Sequence, residues 1–228
     1  VTATEIVDVY TRSVEDYLKA VYGLSTDERP ASTTDIAQRL QLSPPSVSAM
    51  IKRLSEQGLL QHEPYRGVRL TSDGRRAALR IVRRHRLIET YLVQFLGYDW
   101  DTVHGEAERL EHAVSDELVE RMAAALDHPA HDPHGDPIPA ADGTISDVEA
   151  TPLTAVPTGE PWILARVAES DAERLRYLGA LGIRPGLRFT VTESAPFDGP
   201  VTIETAVGTR VLGNALAVGL LCVRADAS

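Results

Sequence analysis

Before residue 100, apolar residues recur at three- and four-residue spacing in four separate stretches. In SVEDYLKAVYGL (13–24), Val14, Tyr17, Leu18, Val21 and Tyr22 line one stripe, which predicts an amphipathic helix. TTDIAQRL (33–40) follows a Pro and Ser/Thr cluster suited to an N-cap. PPSVSAMIKRLSEQGLL (44–60) opens on prolines and Ser46 and meets a stop at Gly58. TSDGRRAALRIVRRHRLIETYLVQFLG (71–97) reads as one long helix ending at Gly97. Between the last two, LLQHEPYRGVRLT alternates around a turn at Tyr65, Arg66 and Gly67 and predicts a small hairpin.

A fifth helix is expected over 101–126, where Val103, Ala107, Leu110, Val114, Leu118 and Met122 repeat at roughly helical spacing. HPAHDPHGDPIPAADGTIS (128–146) is an irregular connector, in which His128, His131 and His134 read as solvated loop histidines, an extra metal patch being the alternative. TPLTAVPTGE (151–160) looks like a linker. From Pro161 the texture changes to short β-rich runs between Gly and Pro turns, with one helix at 170–183. The fold class expected is mainly α with a small β-barrel. Its parts are a winged helix-turn-helix (1–72), a helical domain (73–150) suited to dimerisation, and an SH3-like barrel (151–228).

Helix, short turn, helix and hairpin is the order of a winged helix-turn-helix, whose second helix enters the major groove. Ser43, Ser46 and Ser48 offer small donors and Pro45 an apolar contact. Lys52, Arg53 and Arg66, with Arg69, suit phosphates, and Tyr65 stands at the tip of the wing. A winged helix used only for protein contacts would show the same pattern.

Net charge is −10, which alone argues against nucleic acid, but its distribution does not. Residues 1–86 hold 14 Lys and Arg against 10 Asp and Glu, a balance of +4, leaving −14 on the remainder. No apolar run is long enough to span a membrane, and the single cysteine, Cys222, excludes a multi-cysteine zinc site. A reducing cytoplasm is the expected setting, and Cys222 is read as an inert core thiol.

Two helices carry polar groups that an ordinary solvated face does not explain. HRLIE places His85 and Glu89 at i, i+4, on one side of a helix. Further on, Glu108, Glu111 and His112 fall at i, i+3 and i+4, with His104 one turn earlier. Stacked like charges repel unless something positive lies between them. Helices present carboxylate and imidazole ligands to metals at this spacing. A helix-face ion pair accounts for HRLIE as simply, so the residues alone leave both readings open. No nucleophile, Gly-rich phosphate loop or hydrolase signature accompanies the cluster, and an enzyme is not expected.

DYLKAVYGL, STTDIAQRLQLSPPSVSAMIKRLSEQGLL, RRHRLIE, VHGEAERLEHAVSDE and PHGDPIP together resemble the diphtheria-toxin-repressor family of metal-dependent regulators, in order and spacing, over essentially the whole chain. The resemblance implies a homodimer that a divalent metal activates to bind double-stranded operator DNA and repress metal-uptake genes. It implies a primary site of Asp16, Glu108, Glu111 and His112. It also implies an ancillary site of His85, Glu89 and His104, completed by Asp171 of the barrel, with Glu169 one slip away. Relatives with a barrel often carry a cysteine just before PHG, close to the primary site; here Asp132 stands there, an oxygen donor in place of a thiolate. A competing role for Asp16 is a capping box with Ser13.

Iron-responsive members have a methionine at the position of Asp16 and a cysteine at that of Glu108. Oxygen donors at both resemble the manganese-responsive branch, and carboxylates suit Mn²⁺. Fe²⁺, Co²⁺ and Zn²⁺ are expected to bind in vitro as well, because Mn²⁺ lies lowest in the divalent affinity order. Lys19 stands where the simplest manganese regulators have a glutamate, which argues against their closely spaced two-metal cluster. The alternatives are an iron-dependent regulator of the same family and a DNA-binding protein indifferent to metal.

Overall fold

The computed structural model describes residues 10–26, 29–63, 66–146, 148–168 and 171–225. These fall into two compact units, one of residues 1–83 with 139–143 and one of 84–138 with 144–228. The chain is mixed α and β, with eight α-helices and eight strands among the described residues, rather than mainly α.

The first unit begins with α1 (Arg12–Leu24), α2 (Thr33–Leu40) and α3 (Pro44–Glu56). The hairpin β1 (Leu60–Glu63) and β2 (Gly67–Leu70) follows, and then the start of α4 (Ser72–Leu96). Ser32 caps α2 by accepting from the Asp35 N–H at 3.0 Å, and Ser43 caps α3 ahead of prolines whose missing N–H groups cost nothing there. Gln41, in the left-handed region at φ 54°, turns the chain from α2 to α3. Val14, Leu18 and Val21 of α1 pack with Ile36, Val47, Ile51, Leu54 and Val68 in one core. Gly67 is needed where it stands: φ is +126° and a Cβ would lie 2.4 Å from the Ala31 carbonyl oxygen. That closeness lets Ala31 bridge Val68 and fasten the hairpin to the segment before α2.

The N-cap of α1 is Thr11, without a side-chain bond, and Ser13 lies inside the helix. A capping box between Ser13 and Asp16 therefore does not form, and Asp16 keeps a carboxylate one turn from Arg12, 4.0 Å from its Nε.

The second unit holds the rest of α4, α5 (Val103–Leu110), α6 (Asp116–Ala125) and a six-stranded sheet. The single helix expected over 101–126 is broken in two. Ser115 adopts extended dihedrals and its hydroxyl accepts from Leu118 N at 3.2 Å, so Ser115 starts a new helix instead of continuing the old one. The break shifts the helical phase. Val119, Ala123 and Leu126 face the core with Leu87, while Leu118 is 41% exposed.

Strands β3 (Thr151–Pro152), β4 (Pro161–Val167), β5 (Arg188–Ser194), β6 (Val201–Thr205), β7 (Gly208–Leu212) and β8 (Leu220–Arg224) form an antiparallel sheet in the order β3-β8-β4-β5-β6-β7. It is consistent with an SH3-like domain, but β3 and β7 are not paired and the barrel does not close. A two-residue edge strand ending in Pro152, which has no N–H to give, offers too little ladder for closure. The stretch 151–160 is no linker: β3 leads into a 3₁₀ turn (Leu153–Ala155), and Leu153 and Val156 are buried in the sheet core. Short helices α7 (Ala172–Ala180) and α8 (Asn214–Ala217) cover the sheet. Trp100, from the segment between α4 and α5, is buried in that same core.

Ser115→Ala should lower unfolding stability by about 1 kcal/mol, the cost of losing an N-cap. Were 101–126 one helix, the same change would stabilise it through helix propensity. Urea titration followed by circular dichroism gives the sign.

Candidate metal centre

His85 and Glu89 lie one turn apart on α4, and His104 reaches them from α5. Glu89 Oε1 is 2.9 Å from His85 Nε2 and 3.0 Å from His104 Nδ1, and those two nitrogens are 3.1 Å apart. Two imidazoles and a carboxylate oxygen thus converge on one point. Glu108, one turn after His104, places Oε1 3.6 Å from His104 Nε2. Atoms of His85, His104 and Glu108 fall within 4.8 Å of one another.

Glu111 continues the chain of contacts. Its Oε2 lies 2.5 Å from His85 Nδ1 and its Oε1 3.3 Å from His112 Nε2. Glu111 is the C-cap of α5 and still in helical geometry, at φ −57° and ψ −28°, so the break before Ser115 leaves its direction intact. His85 and Glu89 are buried and Glu111 is fully so, a placement that would cost several kcal/mol per lone charge. Burial alone would push the Glu89 carboxyl up. Hydrogen bonds from His104 and His85, with the charges of His85 and His134, outweigh it and hold that carboxyl well below the usual range. Mixed nitrogen and oxygen donors, converging and partly shielded from water, fit a first-row divalent ion.

A second buried group stands beside this one. Asp132 Oδ1 accepts from the N–H groups of His134 and Asp136 at 2.8 and 3.0 Å, an Asx turn that fixes the 132–136 loop. Burial, and then the charges of Glu89 and Asp136, push the Asp132 carboxyl up to about 7. His134 is no solvated loop histidine: it is 6% exposed, and its ring stacks on Trp100 with centroids 5.6 Å apart. His128 and His131 are exposed, as expected. Sequence reasoning missed Arg86, which donates to the Pro137 carbonyl at 2.5 Å and to Asp136 Oδ1 at 3.1 Å. The signal available was the run DPHGDPIP, three prolines and a glycine around a histidine, too constrained for an idle loop.

The remaining expected ligands come from other parts of the chain. Asp171 is exposed and caps α7, its Oδ1 accepting from Arg174 N at 3.0 Å. Asp16 belongs to α1 in the first unit. Glu169 lies outside the described residues. Cys222 is buried in the sheet core with its thiol pushed up to about 12 by burial, so it is inert and supplies the cluster no thiolate.

On the first unit, Ser43, Pro45, Ser46, Ser48, Lys52 and Arg53 line the exposed side of α3 and its start, and Arg66 is exposed on the hairpin. Ser43 and Ser46 pair at 2.8 Å, and Ser48 donates to the Pro44 carbonyl at 3.0 Å. Arg69 donates to the Thr26 carbonyl at 2.5 Å, tying the hairpin back to the chain after α1. Tyr65 lies outside the described residues.

Residues 10–68 match the N-terminal DNA-binding domain of iron-dependent repressors, residues 71–140 their metal-binding and dimerisation domain, and residues 151–222 the FeoA domain. The iron-dependent repressor IdeR of Mycobacterium tuberculosis is 34% identical over 211 residues, 87% of this chain and 89% of that protein. The chain belongs to the iron-dependent repressor family. Members of that family are metal-dependent transcriptional repressors, not enzymes. Among solved structures, a manganese-dependent transcriptional repressor in complex with manganese is 44% identical, with a TM-score of 0.85 over 92% of this chain and 99% of that one. The structure of ScaR with bound Zn²⁺ is 34% identical, with a TM-score of 0.78 over 92% and 99%. Among the described residues no helix is long and apolar enough to cross a membrane.

The raised Asp132 carboxyl sets a sign for pH. Its folded pKa lies above its unfolded one, so the native state holds a proton that the unfolded state releases. Its contribution to stability is therefore present below about pH 4 and lost as pH rises toward about 7. In chelator-treated protein, Asp132→Asn should flatten that decline while keeping an oxygen for the two loop N–H groups. Urea midpoints measured across that range test it, and an unchanged slope would remove Asp132 as its source.

Proposed function

We propose that this chain is a manganese-dependent transcriptional repressor that binds operator DNA as a metal-activated homodimer in the cytoplasm and controls metal-uptake genes. What carries the reading is the convergence of His85, Glu89, His104 and Glu108 on α4 and α5, in a chain with an exposed, capped α3 suited to a major groove. Residues 1–72 are the DNA-reading part, 73–150 the metal-binding and dimerising part, and 151–228 the FeoA-type part.

Asp16, Glu108, Glu111 and His112 are the proposed primary ligands, and His85, Glu89 and His104 the ancillary ones, with Asp132 an added oxygen donor and Asp171 a ligand only if α7 gives up its cap. When bound, a divalent ion supplies positive charge and fixed ligand directions. Asp16 rides on α1 of the reading head, while Glu108, Glu111 and His112 belong to the α5 region. Holding Asp16 against these groups orients the head, whereas uncompensated carboxylates repel it. The oriented form is the DNA-competent one, so ligand binding shifts the population toward it, and operator tightens metal binding by the same factor. In the groove, Ser43, Pro45, Ser46 and Ser48 meet base edges while Lys52, Arg53, Tyr65 and Arg66 engage the backbone.

Oxygen donors at Asp16 and Glu108, with the only cysteine buried in the sheet core, favour Mn²⁺ over softer ions. Iron is the second reading, favoured by likeness to IdeR along most of the chain. Fe²⁺, Co²⁺ and Zn²⁺ should also bind in vitro.

Operator affinity, read by fluorescence anisotropy, should rise about 5- to 150-fold with Mn²⁺ and fall back with chelator. Matched free Mn²⁺, Fe²⁺ and Zn²⁺ separate the two metals, and equal affinity with and without metal would sink the regulator reading. Asp16→Ala should abolish metal activation with the fold intact; retained activation strikes Asp16 from the ligands. Lys52→Ala should reduce the slope of log affinity against log salt by about 1, if it holds one phosphate.

A further inference from the structure

The chain passes between the two units at three places. Helix α4 crosses between Arg83 and Arg84, the loop after α6 crosses between Ile138 and Pro139, and the return lies between Gly143 and Thr144. The first two crossings are tied together by arginines of α4. In the first unit, the Arg83 guanidinium donates to the Pro139 carbonyl at 2.9 Å. One turn on, in the second unit, Arg86 donates to the Pro137 carbonyl at 2.5 Å and to Asp136 Oδ1 at 3.1 Å. Positions i and i+3 share a helix face, so one stripe of α4 holds the same run of chain on both sides of the boundary.

That run is stiff. Pro137 and Pro139 have fixed φ and no N–H, and Ile138, standing before a proline, is confined to extended backbone. All three are buried. Ile138 N donates to the Ala130 carbonyl at 2.8 Å, and its side chain packs with Leu87, Val119, Ala123 and Leu126. Upstream, Asp132 Oδ1 accepts from the His134 and Asp136 N–H groups, and Val167 N of β4 donates to the His134 carbonyl at 2.9 Å. Downstream, Gly143 N closes a turn on the Ala140 carbonyl at 3.0 Å. The segment from Asp132 to Gly143 is thus anchored at one end in the second unit and at the other in the first. Long helices curve gently on their own. A stiff second span, tied to α4 on both sides of the crossing, opposes bending and twisting there.

We propose that residues 132–143 are a strap that carries the metal response to the DNA-reading unit, with Arg83 and Arg86 as its positioning residues. The proposal rests on the metal-activated repressor reading, in which Asp132 is an oxygen donor. Arg86 holds the start of the strap, its Nε 3.7 Å from Asp132 Oδ2, and Arg83 holds the far end on the first unit. Whatever fixes Asp132 therefore limits the freedom of Pro139, and with it that of the unit carrying α3. Energetic coupling between two sites is carried by packed, hydrogen-bonded chains of this kind.

The test is the operator affinity of the full chain with Mn²⁺ and with chelator, taken as a ratio, alongside Mn²⁺ affinity without DNA. Arg83→Met keeps the apolar stem and removes the donors. It should lower the ratio by about 2-fold or more, leaving Mn²⁺ affinity without DNA and operator affinity in chelator unchanged. Mn²⁺ affinity in the presence of operator should fall by the same factor. Arg83→Lys keeps an N–H donor for the Pro139 carbonyl and should restore most of the ratio, a separation that a merely structural role would not produce. Should Arg83→Met not fold, as judged by circular dichroism, Pro139→Ala takes its place, keeping the acceptor carbonyl while freeing the backbone around it. An unchanged ratio in the folded variant, or Arg83→Lys no better than Arg83→Met, overturns the strap and leaves the repressor reading standing. A wild-type ratio of one overturns both.

Discussion

The second unit is organised around one buried carboxylate. Glu89 is 2% exposed and would be ruinous there alone, yet it receives imidazoles from its own helix, from α5 and from the loop after α6. Helix α5, the 131–138 loop and the turn of α4 that carries His85 must all hold position for this charge to be tolerated. Glu111 extends the same logic through His85 to His112, so side chains expected at the two metal sites touch one another. Such a network is stable only when every member is satisfied, which makes its protonation and ligand state a property of the whole.

Much of this was legible from spacing. His85 and Glu89 at i, i+4, and His104 one turn before Glu108, project to common faces on any helix, and the structure does bring His85, Glu89 and His104 together. The reading head was equally plain, because Ser32 and Ser43 caps, flanking prolines and an alternating hairpin are local signals that tertiary packing had no reason to override. Asp171 shows the limit. Its role was carried over by likeness in a loop before α7, and locally the same side chain makes a good N-cap. A backbone N–H three residues on is always within reach of such a side chain.

Periodicity failed where a single hydroxyl decided the outcome. The apolar residues of 101–126 repeat well enough for one helix, and only Ser115 distinguishes one from two. The connector failed for another reason: a hydrophilic residue such as His134 reads as solvated because composition carries no information about what a loop is pressed against. The burial of His134 and its neighbour Asp132 follows from non-local contacts with α4 and β4, which no short window of sequence contains. The supposed linker at 151–160 belongs to the same class of error, since Leu153 and Val156 become core only once β8 is beside them.

Trp100 bears on how such proteins can be rearranged. Its indole is contributed by the helical half of the chain, yet it fills the interior of the sheet domain, under the guanidinium of Arg184 at 4.6 Å. The boundary that the sequence suggests near residue 150 is therefore not a cut along which modules come apart cleanly. A truncation there leaves a large aromatic without its lining, and a graft of the sheet onto another helical host needs a tryptophan waiting for it. Exchange of these domains between relatives is constrained by a residue that neither segment, considered alone, would claim.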